Sequence, residues 1–181
     1  YRIIFDMIVN KRVIDIEYHP FGKKARTIRI SPYYLKQYNN RWFLIAKHND
    51  CPYFSNYAID RIENITERTD EYQPLSEDFD FDEYFSDVIG VSVTSEPVED
   101  VELHVTDNAL GYIITKPLRE SQYTRPERLD NGKWKITLKV QPNYEFFSLI
   151  RSFGDGIEIA KPETMRIKMK EMVEKIAVMY K

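Results

Sequence analysis

The residues best suited to chemistry in this chain are cationic and aromatic, and they crowd into its first third. Arg26, Arg29, Lys36, Arg41, Lys47 and Arg61 are interleaved with Tyr33, Tyr34, Tyr38, Phe43, Tyr53 and Tyr57. A guanidinium fork binds phosphate oxygens bidentately, and an aromatic ring stacks a base whatever its identity. Such a set suits a nucleotide or a short single strand. The same residue types also make ordinary cores and solubilising surfaces, so the pattern alone leaves both uses open.

Other chemistries find little support. His19, His48 and His104 lie far apart in unlike contexts, and no motif surrounds Cys51 to make it a nucleophile with a base. The glycines form no phosphate-cradling run, and Gly154-Asp155-Gly156 falls after a predicted helix and before a strand, the reverse of a dinucleotide loop. Asp78, Asp80 and Asp82 have the opening spacing of a calcium loop, but Glu83 and Ile89 stand where that loop needs Gly and Glu. A single Cys with scattered His cannot supply a four-ligand zinc site. No enzyme activity, cofactor or metal ligand is expected.

The elements that must position the basic residues follow from charge and periodicity. Residues 1–69 carry 12 Lys/Arg against 7 Asp/Glu, residues 70–100 carry 11 Asp/Glu and no Lys or Arg, and residues 101–181 carry 14 against 11. The net charge of -3 therefore describes no part of the chain. Two mildly basic blocks, 1–70 and 99–181, flank an acidic connecting segment, 71–98, with a short docked helix expected near 81–89. At 181 residues, with 43% hydrophobic and 14% aromatic, the chain can bury a real core. No run approaches the ~20 apolar residues of a membrane span, and a lone cysteine favours a reducing cytoplasm. The start on Tyr1 rather than Met reads as a cut end, with more of a parent protein upstream.

In the first block Ile3, Ile4, Met7 and Ile8 share a helix face. Strands are predicted over 13–18, 26–30, 33–38, 41–48 and 53–59, with Asn39-Asn40 as a tight hairpin turn. A leading helix and five short strands indicate a small Sm/SH3-like β-barrel. On strand 41–48, alternation puts Arg41, Phe43, Ile45 and Lys47 on one face and Trp42, Leu44 and Ala46 on the core side. In the second block the pattern reads strand 101–106, helix to about 115, strands 122–129 and 134–140, a helix after Asn143, strand 157–160 and a last helix to about 180. That is a ferredoxin-like βαββαβ domain with a C-terminal helix, and the class of the whole is α+β.

At these residues the chain resembles the WYL domain. Arg41-Trp42-Phe43-Leu44, preceded by Ser31-Pro32-Tyr33-Tyr34-Leu35, looks like its signature, and Tyr57-Ala58-Ile59-Asp60-Arg61-Ile62 like its closing element. The second block resembles the C-terminal extension, WCX, through Pro117-Leu118-Arg119-Glu120-Ser121-Gln122, Phe153-Gly154, Ile157-Glu158-Ile159, Pro162 and Arg166. The resemblance implies a bacterial transcription regulator of Sm-like barrel fold that senses a nucleotide or single-stranded nucleic acid. It further implies a homodimer that touches duplex DNA only through an N-terminal helix-turn-helix reader absent from this chain. Carried over by position, Arg26, Arg41, Phe43 and Arg61 line the ligand face, with Tyr57 beside it. Phe43 replaces the namesake Tyr and loses a hydroxyl donor, while Ala58 replaces an Arg and loses a phosphate-binding charge. The alternative reading is a structural dimerisation module without a ligand, built on the stripe Met165, Met169, Met172, Val173, Ile176 and Tyr180.

Overall fold

Strand alternation builds the first sheet. The structure is a computed structural model that describes residues 1–48, 51–118 and 125–181, in two units, Tyr1–Phe81 and Asp82–Lys181. In the first unit β1 (Ile14–Tyr18) sends Ile14, Ile16 and Tyr18 into the core. It pairs antiparallel with β2 (Arg26–Tyr38), from Ile14 opposite Ile30 to Tyr18 opposite Arg26. The sequence predicts two strands here, yet β2 is one. Pro32 has no N–H to give a ladder, and it falls where the register shifts between Pro32 and Tyr34, so the bulge absorbs it without ending the strand. Asn39 and Asn40, at φ 47 and 59, then turn the chain into β3 (Arg41–His48).

β4 (Phe54–Ala58) and β5 (Ile62–Glu67) complete an antiparallel sheet of order β4-β3-β2-β1-β5. β5 lies beyond the last strand the sequence predicts. Its core-facing residues, Ile62 and Ile65, are three apart rather than two, because the pairing with β1 slips at Glu17/Tyr18. Leading helix α1 (Arg2–Val9) buries Ile4 and packs Met7 and Ile8 on this core, while Ile3, expected on the same face, is exposed. Trp42, expected in the core, is half-buried and meets the Tyr1 ring edge-on at 5.0 Å.

On the opposite face of the sheet Asp15 is buried, against the alternation that marks it as solvent-facing. Two guanidinium groups cover it: Arg29 Nε donates to Oδ1 at 2.8 Å and Arg68 Nε to Oδ2 at 2.7 Å. Those charge-assisted bonds, that of Arg29 first, hold the Asp15 carboxyl below the usual carboxylate range. Arg29 also pairs with Asp70 at 2.9 Å, so it is occupied on both sides.

The acidic stretch is shared between the units. Its first part straps the β2–β4 surface: the Tyr33 hydroxyl donates to the Gln73 carbonyl at 2.7 Å and that of Tyr72 to the Pro32 carbonyl at 2.8 Å. Phe81 stacks on Tyr34 at 4.7 Å, and Phe79 leans on Phe54 at 5.3 Å. α2 (Phe81–Tyr84) is a single turn, shorter than the helix expected near 81–89. The later part is laced into the second unit. Gln141 Nε2 donates to the carbonyls of Thr94 and Glu96, and Asn143 Nδ2 to those of Ile89 and Ser92.

The second unit runs β6 (Glu99–Val105), α3 (Asp107–Thr115), β7 (Glu127–Arg128), β8 (Trp134–Val140), α4 (Tyr144–Ser152), β9 (Ile157–Lys161) and α5 (Glu163–Met179). Its sheet is antiparallel in the order β7-β8-β6-β9. Thr106 caps α3, and Asn143 caps α4 through its side-chain oxygen. Val101, Leu103, Val105, Ile136, Leu138 and Val140 alternate into the core, where Phe146 and Ile150 meet them. The strand expected over 122–129 survives as β7, and residues 119–124, which include most of the Pro117–Gln122 motif, lie outside the described residues. The class is α+β, two antiparallel sheets with five helices among the described residues; no ladder joins β4 to β5 there.

Candidate ligand-binding site

The short turn from Tyr57 to Ile62 gathers the residues nominated from the sequence. Directly opposed residues in an antiparallel pair share a face, so Leu44 and Tyr57 lie on the core side, and Phe43 with Ala58 on the other. Tyr57 is buried, and its ring meets that of Tyr18 edge-on at 5.2 Å. Burial pushes the Tyr57 hydroxyl above its ordinary value, opposed by the Ser55 hydrogen bond and the nearby Arg26 charge. Tyr57 is therefore a core ring that shapes the site rather than an exposed stacking platform.

Arg26 sits opposite Tyr18 at the open end of β2, exposed, and among the described residues no carboxylate pairs with it. Arg41, at the start of β3, reaches the turn from the other side: its Nε lies 3.2 Å from Oδ2 of Asp60. Phe43 is half-buried, opposite Ala58 and Lys36. Arg61 ends the 3-10 turn Ile59–Arg61 and places its guanidinium over the Phe21 ring, 3.6 Å from the centroid. Its Nε is buried without a hydrogen-bond partner, and its carbonyl accepts the His19 N–H at 3.0 Å.

Arg26 and Tyr57 thus meet at Tyr18 and Arg61 lies over Phe21, while on β3 Arg41 reaches Asp60 and Phe43 lies opposite Ala58, on the face away from Tyr57. Phe21 was not nominated from the sequence. Its signal is an apolar ring in a Pro20-Phe21-Gly22 turn, where nothing local buries it, and it is 73% exposed. Of the wider basic and aromatic set, Tyr33 and Tyr34 lie under the 72–81 strap together with Phe54, and Lys47 lies over Phe54 at 4.7 Å. The arrangement offers cationic donors and two accessible rings to an anionic, planar ligand.

The WYL domain matches residues 1–67 and the WCX domain residues 97–177. The chain carries a WYL domain followed by a WCX domain. All five nominated residues fall inside its WYL domain, and α5 falls almost wholly inside the WCX domain. No curated protein matches the sequence. Among solved structures the WYL–WCX chain is similar to a CRISPR Cas-related protein, at 15% identity and TM-score 0.50, covering 98% of this chain and 51% of that one. It is also similar to proteasome accessory factor B/C (PafBC) of Arthrobacter aurescens, at 14% identity and TM-score 0.41, covering 92% of this chain and 25% of that one. The chain thus spans between a quarter and a half of the length of these structures.

Proposed function

We propose that this WYL–WCX chain is the sensing region of a transcriptional regulator, binding a nucleotide or short single-stranded nucleic acid at the Tyr57–Arg61 turn. What supports the reading is that three arginines have contacts along this one segment of the WYL domain: Arg26 acts on Tyr57, Arg41 pairs with Asp60, and Arg61 lies over the exposed Phe21 ring. Phosphate oxygens would take the guanidinium donors, and Phe43 and Phe21 would take bases. Loss of the hydroxyl at Phe43 and of the cation at Ala58 leaves stacking and three arginines as the source of affinity. Sheet order β4-β3-β2-β1-β5, with Tyr18 of β1 bonded to Ala58 of β4, supports an Sm-like barrel, and order β7-β8-β6-β9 with its βαββαβ succession supports a ferredoxin-like WCX domain.

In the whole regulator, a separate reader domain would contact duplex DNA, two copies would pair, and the protein would work in the cytoplasm. Among the described residues no helix is long and apolar enough to cross a membrane. The test is fluorescence anisotropy with a labelled short DNA or RNA single strand across a salt series. Saturable binding that weakens with salt is expected. A chain that ignores oligonucleotides and mononucleotides at low salt would end the reading.

One observation favours the structural alternative. Val173, Ile176 and Met179 on α5 and Tyr180 at its C-terminal cap are exposed, and only Met165 of the predicted apolar stripe is fully buried. Such a face fits a second copy of the chain. Light scattering with and without oligonucleotide separates the readings: a constant dimer that binds no strand supports the scaffold.

A further inference from the structure

A second site lies on the β1–β5 edge. Glu17 and His19 stand two residues apart, Glu17 on β1 and His19 just past its end. Opposite them the register slips: Glu17 pairs with Asn64 and Tyr18 with Ile62, so Glu63 is the extra residue. Such a bulge re-aims a side chain, and here Glu63 comes beside His19. His19 Nε2 lies 3.1 Å from Glu63 Oε2. That nitrogen is buried yet makes no hydrogen bond. Glu17 is held in place by Asn64, whose Nδ2 donates to Oε2 at 2.7 Å and leaves the other oxygen free. One ligand atom from each of the three residues lies within 4.8 Å of the others.

We propose that Glu17, His19 and Glu63 form a binding site for a borderline divalent transition cation, with Zn²⁺ as the best-fitting member. One imidazole nitrogen with two carboxylate oxygens is a donor set that such ions accept, whereas calcium and magnesium take oxygen ligands alone. Three protein ligands leave a position open for water or another donor. The side chains of His19 and Glu63 are 41% and 58% exposed, so both can swing inward to coordination distance. The backbone N–H of His19 is tied to Arg61, so an ion here would also stiffen one wall of the nucleotide site, though the two sites share no side chain.

The experiment is calorimetric titration of the chain with Zn²⁺ in a non-chelating buffer, with Co²⁺ absorption as a second readout. One equivalent of Zn²⁺ should bind, Co²⁺ should give a visible d–d band, and Zn²⁺ should raise the melting temperature. His19→Ala and Glu63→Gln should each weaken binding more than about tenfold, while His104→Ala, at the other His/Glu pair, should leave it unchanged. Glu63 is exposed on an edge strand, so Glu63→Gln tests the site even if His19→Ala fails to fold. No binding by the wild-type chain, or equal affinity in Glu63→Gln, overturns the proposal. Neither result bears on oligonucleotide binding, which the anisotropy assay reads separately.

Discussion

The Tyr18 hydroxyl accepts the backbone N–H of Ala58 at 3.4 Å, joining β1 to the end of β4, two strands that share no ladder. The Tyr57 ring packs edge-on against the same tyrosine. This one side chain draws the first sheet round on itself and sets where the Tyr57–Arg61 turn stands relative to Arg26. Replacing Tyr18 by Phe keeps the ring and removes the bond. The expected loss is about 1 kcal/mol by urea unfolding, since the Ala58 N–H would lie buried without a partner. Oligonucleotide affinity should fall with it; an unchanged unfolding midpoint would show the bond to be idle.

Asp60 holds Arg41 and competes with any anionic ligand for it. Asp60→Asn should therefore tighten binding of a short single strand, by about two- to tenfold at low salt, with the gain shrinking as salt rises. Anisotropy titrations at several salt concentrations read this directly. Weaker binding in the variant would mean that Asp60 orients Arg41 rather than blocking it.

Arg26→Ala removes a cation beside Tyr57 and Arg61→Ala one at the end of the turn, so each should lower the slope of log affinity against log salt by about one. Phe21→Ala should instead lower affinity with the slope unchanged, because a stacking ring neutralises no phosphate. Identical salt slopes in wild type and both arginine variants would place the ligand elsewhere.

Glu158 takes Lys133 and Arg166 together, and their hydrogen bonds hold its carboxyl at about 2, below the ordinary 4.5. A carboxyl depressed in the folded state stabilises it fully above the ordinary value, and that contribution is lost as pH falls through the window from 4.5 to about 2. Asp15, depressed by Arg29 and Arg68, acts in the same sense. Both partners of Glu158 are partly exposed, so solvent screening limits its share to roughly 1 kcal/mol. Glu158→Gln should lower the melting temperature at pH 7 and match wild type near pH 2. A difference that persists at pH 2 would assign the loss to packing.

Asn143 does two jobs: its Oδ1 accepts the Phe146 N–H at 2.8 Å as the cap of α4, and its Nδ2 binds the carbonyls of Ile89 and Ser92. Asn143→Ala should cost about 2–3 kcal/mol, cap and buried partners together. It should also speed amide exchange around residues 89–94 more than in the α1 helix of the other unit. Uniform acceleration would mean global destabilisation alone.

Local pattern determined much of this protein. Alternation found the core of β1, β6 and β8, because a strand with one buried face must repeat every two residues. On β3 it placed Trp42 inside and Ile45 outside, where Trp42 is half-buried and Ile45 buried. Asn39-Asn40 announced its hairpin because asparagine tolerates positive φ. Arg26, Arg41, Phe43, Tyr57 and Arg61 were nominated by residue type and by family resemblance. Tertiary structure decided the rest, where pairing across long separations overrides the local period. A bulge merged two predicted strands at Pro32, and another hid β5 by spacing Ile62 and Ile65 three apart. Asp15 is buried only because arginines distant in sequence close over it, and Tyr57 became core because it pairs with Leu44. Glu63 meets His19 through a register slip between strands more than forty residues apart in the chain, a juxtaposition that no count of Cys and His could reveal.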